Sequence, residues 1–366
     1  MANIATIIGT RPEIIKMAPV VKALDKLDAE HVLVHSGQHY DLMMDGIFFK
    51  ELGLRDPNHR FEINELPPHR QIASTIEHIG EVVRDADMVI VQGDTNTTVS
   101  GAILANKLGK PLGHVEAGIR SYDKTMPEEV NRIMADQLST MLFSPTATAK
   151  RNLERENIRK GIHVVGNSVV DALIQNMRIA ERTSRALQDH GMESGSYFLM
   201  TFHRAENVDN QTKLKSVLTA LPMIARQTGR KVLFPMHPRT RRRIEEFKLE
   251  DLLAAPGLSI IGPVGYFDTL ILEKNAALIL TDSGGLQEEA CILRVPCVTL
   301  RENTERPETL EIGCNILAGT SARRITAAVR RQLKIRRKWR NPYGDGTTGE
   351  KIATLVSRFL ARRGSA

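Results

Sequence analysis

Residues 277–290 read ALILTDSGGLQEEA. An apolar run of strand length ends in a polar turn. Two glycines follow, and a helix-length stretch then opens with Gln287, Glu288 and Glu289. Glycine weakens a helix, so a pair of them at its start asks for a reason. A helix N-terminus presents unpaired N–H groups and the positive end of the helix dipole. Without a Cβ, the backbone there admits the oxygens of an anion. Ser283, Gly284 and Gly285 therefore read as a phosphate cradle. Glu289, about one turn past Gly285, reads as an acceptor for a ribose diol. The plainer alternative is a tight strand–helix turn whose acids complement the dipole, and this stretch alone leaves both open.

The same alternation runs the length of the chain. Strand-like runs lie at 4–9, 31–37, 88–94, 112–118, 141–146 and 162–167, separated by helix-length amphipathic stretches such as EIIKMAPVVKALDKL. After residue 195 the pattern restarts at 197–203, 231–237, 258–263, 277–283, 296–300 and 315–319. Short β-rich runs alternating with helices imply βαβ units and parallel sheets. The expected fold is α/β: two Rossmann-like, doubly wound domains, 1–167 and 168–346, facing a cleft. Ligands in such sheets bind outside the carboxyl ends of the strands.

Those carboxyl ends hold the polar residues. The first strand runs into GTRPEIIKMAP, where Pro12 suits the first turn of a helix. Arg11 and Lys16 are cations near a helix start, where the dipole disfavours them, so they are expected to face an anion. No GxGxxG occurs, which leaves a nicotinamide cofactor unsupported. Asp94 ends MVIVQGD, Glu116 sits in HVEAG, and Glu128 opens MPEEVNRIMAD with Arg132 one turn on. Capping would account for Asp94 and an i,i+4 ion pair for Glu128 with Arg132. Glu116, between an apolar strand and Gly118, has the weakest structural account. His203 and His237 end two further strands and suit a cleft lining that donates to phosphate. Together with Asp282 they match no metal-binding spacing, so no metal site is expected.

Composition bounds the rest. The chain has 366 residues, 42% hydrophobic and 25% charged, with a net charge of +7. That excess favours an anionic partner without separating nucleic acid from a phosphorylated metabolite. The stretch 323–340 carries nine basic residues and no acid. With one aromatic, Trp339, it lacks a series of stacking platforms, and it reads as a solvated basic helix. Cys291, Cys297 and Cys314 form no CxxC pair and read as reduced, buried thiols of a cytoplasmic protein. No apolar run spans a membrane, and the N-terminus reads as a first strand.

Taken in order, GTRPEIIKMAP, SGQHYDLM, QGDTNTT, HVEAGIRS, MPEEVNR, TFHRAEN, TDSGGLQEEA and TERPETLE resemble the non-hydrolysing UDP-N-acetylglucosamine 2-epimerases. The resemblance extends to about residue 320 and is specific as a set. It implies a glycosyltransferase-B-like fold, a homodimer, no cofactor, and a C-terminal helix, 347–366, packed back on the first domain. It implies that Ser283 and Gly284 hold the diphosphate and that Glu289 binds ribose. Arg11, His203 and Arg306 would contact the nucleotide, and Asp94, Glu116 and Glu128 would be catalytic beside Lys16 and Arg132. The stretch VGYFDT (264–269) departs from the uracil loop of many bacterial members and makes Tyr266 the candidate base contact. Gln38, His39, Arg70, Gln71, Arg204 and His237 match part of a pattern for a second, activating UDP-N-acetylglucosamine, although Tyr40 and Asp41 alter that loop. A glycosyltransferase, a hydrolysing epimerase and a relative acting on a modified acetamido sugar are the competing activities. A nucleic-acid-binding role disagrees with the acids at the strand ends.

Overall fold

The apolar runs become parallel strands in two separate sheets. The structure, a computed structural model, describes residues 2–38, 48–63 and 66–364. Contacts divide the chain into one unit of Met1–Ile174 with Tyr343–Ala366 and a second of Gln175–Pro342. The division falls inside the helix Ser168–Thr183, a few residues past the 167/168 boundary expected from sequence.

The first unit contains β1 (Asn3–Ile8), β2 (Glu30–His35), β3 (His59–Arg60), β4 (Met88–Gln92), β5 (Leu112–Val115), β6 (Met141–Ser144) and β7 (Ile162–Val164). They lie in the order β3-β2-β1-β4-β5-β6-β7, every pair parallel. β4, β5 and β6 are buried throughout, which is why they read as unbroken apolar runs. The strands stop earlier than the apolar runs suggest, because Gly93, Glu116 and Gly118 turn to positive φ and leave the ladder. The two-residue β3 was not legible in the sequence, since HR at an exposed edge carries no apolar alternation. The helix Thr348–Gly364 packs on the helix Arg11–Leu24. Gly349 permits the approach, since a Cβ there would stand 2.5 Å from the Pro19 carbonyl oxygen.

The second unit contains β8 (Tyr197–Thr201), β9 (Lys231–Pro235), β10 (Leu258–Ile261), β11 (Leu278–Thr281), β12 (Cys297–Thr299) and β13 (Asn315–Leu317). Their order is β10-β9-β8-β11-β12-β13, again all parallel. In both sheets the strand order reverses beside the unit's first strand, between β1 and β4 and between β8 and β11. The crevice at such a reversal is where doubly wound sheets take their ligands. Arg11 and Asp94 follow the first pair, and His203 and Ser283 follow the second. No helix among the described residues is long and apolar enough to cross a membrane.

Candidate active site

In the first unit the acids sit at the ends of neighbouring strands. Glu116 follows β5 with φ +70°, a left-handed conformation that costs a glutamate about 1–2 kcal/mol. Its side chain is buried and paired on both oxygens: Lys16 Nζ donates to Oε1 at 2.7 Å and Gln92 Nε2 to Oε2 at 2.5 Å. Backbone strain that persists at a buried carboxylate marks a functional position better than a structural one. Lys16 thus faces an anion of its own unit, while the Arg11 guanidinium lies 5.7 Å from the Phe48 ring centroid.

A buried network fixes the segment that carries Glu116. His114 Nδ1 and Asp136 Oδ1 are 2.7 Å apart, and His114 Nε2 donates to the Gly93 carbonyl at 2.8 Å. Arg120 reaches Asp136 at 2.7 Å and Glu156 at 2.6 Å, and the Gly118 amide donates to Asp136 at 3.1 Å. Burial alone raises the pKa of a carboxyl, but His114 and Arg120 outweigh it and hold Asp136 below the usual range.

The simple accounts of the other two acids do not hold. Asp94 does not cap the helix Asn96–Lys107, because Thr95 does so through a capping box with Thr98. Instead the Asp94 carboxylate meets Arg132, and its carbonyl accepts from Asn131 at 2.9 Å. Arg132 pairs with Asp94 and, at 3.3 Å, with Glu129, so the i,i+4 pair with Glu128 does not form. Glu129 is buried and ties down Ser121 and Tyr122, while Glu128 stands exposed on the first turn of the helix Pro127–Leu138.

In the second unit, Ser283 precedes the helix Gly284–Ile292 without closing it by a side-chain cap. The atoms nearest a Cβ built on Gly284 would be Glu305 Oε2 at 3.6 Å and guanidinium nitrogens of Arg204 and Arg306, each at 3.9 Å. Two cations therefore flank a bare helix N-terminus, which is the electrostatics of a phosphate site. Acids hold the cations in place. Glu288, fully buried, pairs with Arg306, and Arg301 binds Glu305 through both carboxylate oxygens at 2.9 Å. Burial would raise the pKa of Glu305, but Arg301, then Arg306 and Arg204, pull it far below the usual range.

Asp282 organises the turn after β8, accepting from the amides of His203 at 3.1 Å and Arg204 at 2.9 Å. His203 and His237 lie with ring centroids 5.7 Å apart. His237 Nδ1 accepts from the Arg239 amide, and burial and the positive groups beside it lower its pKa, so it is neutral with Nε2–H as its donor. No group of three metal-capable side chains occurs among the described residues. Further along, burial and then the charge of Glu289 push the pKa of Tyr266 well up. Glu273 is held as the neutral acid by burial and by Glu289. Of the six residues matching an activator pattern, Gln38 accepts from the Thr97 amide and Gln71 from Asn96. His39, with Tyr40 and Asp41, lies outside the described residues.

Sequence reasoning missed Glu13, Gln92, Glu288 and Glu305 as site supports, and it did not place Arg204 at the glycines. Gln92, a polar residue closing a buried strand, and the T-x-x-E spacing from Thr10 to Glu13 were available signals.

Comparison with known proteins identifies the family. The family model described as UDP-N-acetylglucosamine 2-epimerase matches residues 22–357. UDP-N-acetylglucosamine 2-epimerase of Methanocaldococcus jannaschii is 47% identical over 97% of this chain and 99% of its own. The crystal structure of that organism's enzyme in complex with UDP-GlcNAc and UDP superposes with a TM-score of 0.91 at 47% identity, covering 97% of this chain and 99% of the other. UDP-2,3-diacetamido-2,3-dideoxy-D-glucuronate 2-epimerase of Pseudomonas aeruginosa is 38% identical over 98% of this chain and all of its own length, 100%.

Proposed function

Because the chain belongs to the UDP-N-acetylglucosamine 2-epimerase family, we propose that it interconverts UDP-N-acetylglucosamine and UDP-N-acetylmannosamine by eliminating UDP and adding it back. The observation that carries this reading is the guanidinium pair of Arg204 and Arg306 beside Gly284. A reaction that departs through a diphosphate needs negative charge met where it develops.

The carbon to be inverted bears an acetamido group and no hydroxyl. Its hydrogen is barely acidic until the bond from carbon 1 to the diphosphate begins to break. The 283–285 turn, Arg11, His203 and Arg306 serve the leaving nucleotide, with Glu289 on the ribose and Tyr266 towards the base. Glu116, Asp94 and Glu128 stabilise the cationic sugar and move the proton, with Lys16 and Arg132 setting the charge around them. Glu116 is our first choice for the group that takes the carbon-2 proton and Asp94 the second. Loss of that proton and of UDP leaves an acetamido-glucal. Re-protonation on the other face with return of UDP gives the epimer, and no cofactor enters the balance. A homodimer, a cytoplasmic location and activation by a second UDP-N-acetylglucosamine belong to the same proposal.

The test is incubation of the protein with UDP-N-acetylglucosamine alone, followed by proton NMR. Appearance of UDP-N-acetylmannosamine supports the reading. Free N-acetylmannosamine would indicate a hydrolysing enzyme, and conversion only of a UDP-diacetamido uronate would move the substrate to that sugar. An absolute need for an acceptor would indicate a transferase.

A further inference from the structure

Glu13 is a carboxyl that the proposed mechanism does not use. It lies in the first turn of the helix Arg11–Leu24 and is only 2% exposed. Its Oε2 accepts from the Gly9 amide at 2.8 Å, in the turn that leaves β1. Its Oε1 accepts from Thr95 Oγ1 at 2.8 Å, in the turn that leaves β4. The two turns belong to the strands between which the sheet order reverses, and they lead into Arg11 and Asp94.

We propose that Glu13 is a positioning residue that fastens these two turns together and so sets Arg11 and Asp94 relative to each other. This rests on the roles given to those two residues above. Packing shows that the contact is designed to be close. A Cβ on Gly9 would stand 2.2 Å from Thr97 Oγ1 and 2.3 Å from Ser36 Oγ, so no larger residue lets the first turn approach the second.

The hydrogen count gives the fastening a proton dependence. Thr98 Oγ1 has one proton and faces three oxygens, the Gln92 carbonyl at 2.6 Å, Thr95 Oγ1 at 3.1 Å and Glu13 Oε1 at 3.2 Å. Given to the shortest contact, that proton leaves Glu13 Oε1 facing an oxygen with nothing between them. A proton on Glu13 fills the gap, with the acid donating to Thr98. Every partner of Glu13 is neutral: Gly9 and Thr10 on one side, Thr95 and Thr98 on the other. No cation offsets burial, and its pKa rises to about 7. The carboxyl therefore exchanges its proton near neutral pH and shifts both turns when it does.

The test uses the full chain with 15N-glycine labelling, because Gly9 and Gly93 report the two turns. In the wild type both amides are expected to titrate together near pH 7. In Glu13→Gln, which keeps one acceptor oxygen and puts a fixed donor in place of the acid's proton, both transitions should vanish. Glu13→Ala should lower kcat by about 100-fold, the scale of a misplaced catalytic group. Glu13→Gln should retain turnover but lose the matching limb of the pH profile. Independent titration of the two glycines, or their joint titration surviving in Glu13→Gln, would overturn the proposal. So would unchanged kcat and pH profile in a folded Glu13→Ala. If the wild type left UDP-N-acetylglucosamine untouched, the proposed function would fall, while the glycine titrations would still decide whether Glu13 joins the turns.

Discussion

Burial of Glu13 without a cation makes a stability prediction whose size follows from the structure. The folded-state pKa is about 7 against an ordinary value of 4.5. The folded protein then holds this proton over a range where the unfolded chain has released it. The group's contribution to stability is therefore full below about pH 4.5 and is lost as pH rises through about 7. Between pH 5 and pH 8 the loss amounts to about 2–3 kcal/mol, undiminished by solvent screening because the group is buried. Glu13→Gln cannot titrate, so its stability should gain on the wild type by that amount over the same interval. The single tryptophan, Trp339, lies in the second unit and is blind to the event. Hydrogen exchange read by mass spectrometry on peptides of β1 and β4 across a urea series follows the first unit directly. Parallel stability curves for wild type and variant from pH 5 to 8 would refute the reasoning.

Three further outcomes follow from other parts of the site. Glu116→Gln should lose about 100- to 10,000-fold in turnover while still binding UDP, measured by steady-state kinetics and calorimetry; full activity removes Glu116 from the chemistry. Gly284→Ala should leave thermal stability nearly unchanged, because its Cβ makes only ordinary contacts, yet weaken UDP by at least about tenfold by occupying space next to the phosphate. Asp136→Asn should destabilise the first unit by about 1–3 kcal/mol, since it removes the anion that His114 and Arg120 share while Arg120 keeps Glu156. Denaturant unfolding would check it.

The two doubly wound sheets were legible because β4, β5 and β11 are buried on both faces and read as continuous apolar runs between turn-forming residues. The glycines at the start of the helix Gly284–Ile292 stood out in the sequence, but that stretch alone left an anion cradle and a tight strand–helix turn both open. What escaped was pairing across sequence. Nothing in MPEEVNR says that Arg132 reaches back to Asp94 rather than one turn to Glu128, because i,i+4 spacing is a local rule and the contact is tertiary. Likewise nothing in the sequence pairs Glu305 with Arg301 or Glu288 with Arg306, where burial gives each a task. Glu13 sat in a recognised motif, but its burial between two turns is decided by strand order, which no short stretch encodes.

The central claim is that a departing diphosphate and nearby acids make the carbon-2 hydrogen labile. Incubation with UDP-N-acetylglucosamine in heavy water, read by NMR and mass spectrometry, tests it most directly. The account predicts one deuterium at carbon 2 of both epimers, with exchange lost in Glu116→Gln. Epimerisation that retains the original hydrogen at carbon 2 would contradict it.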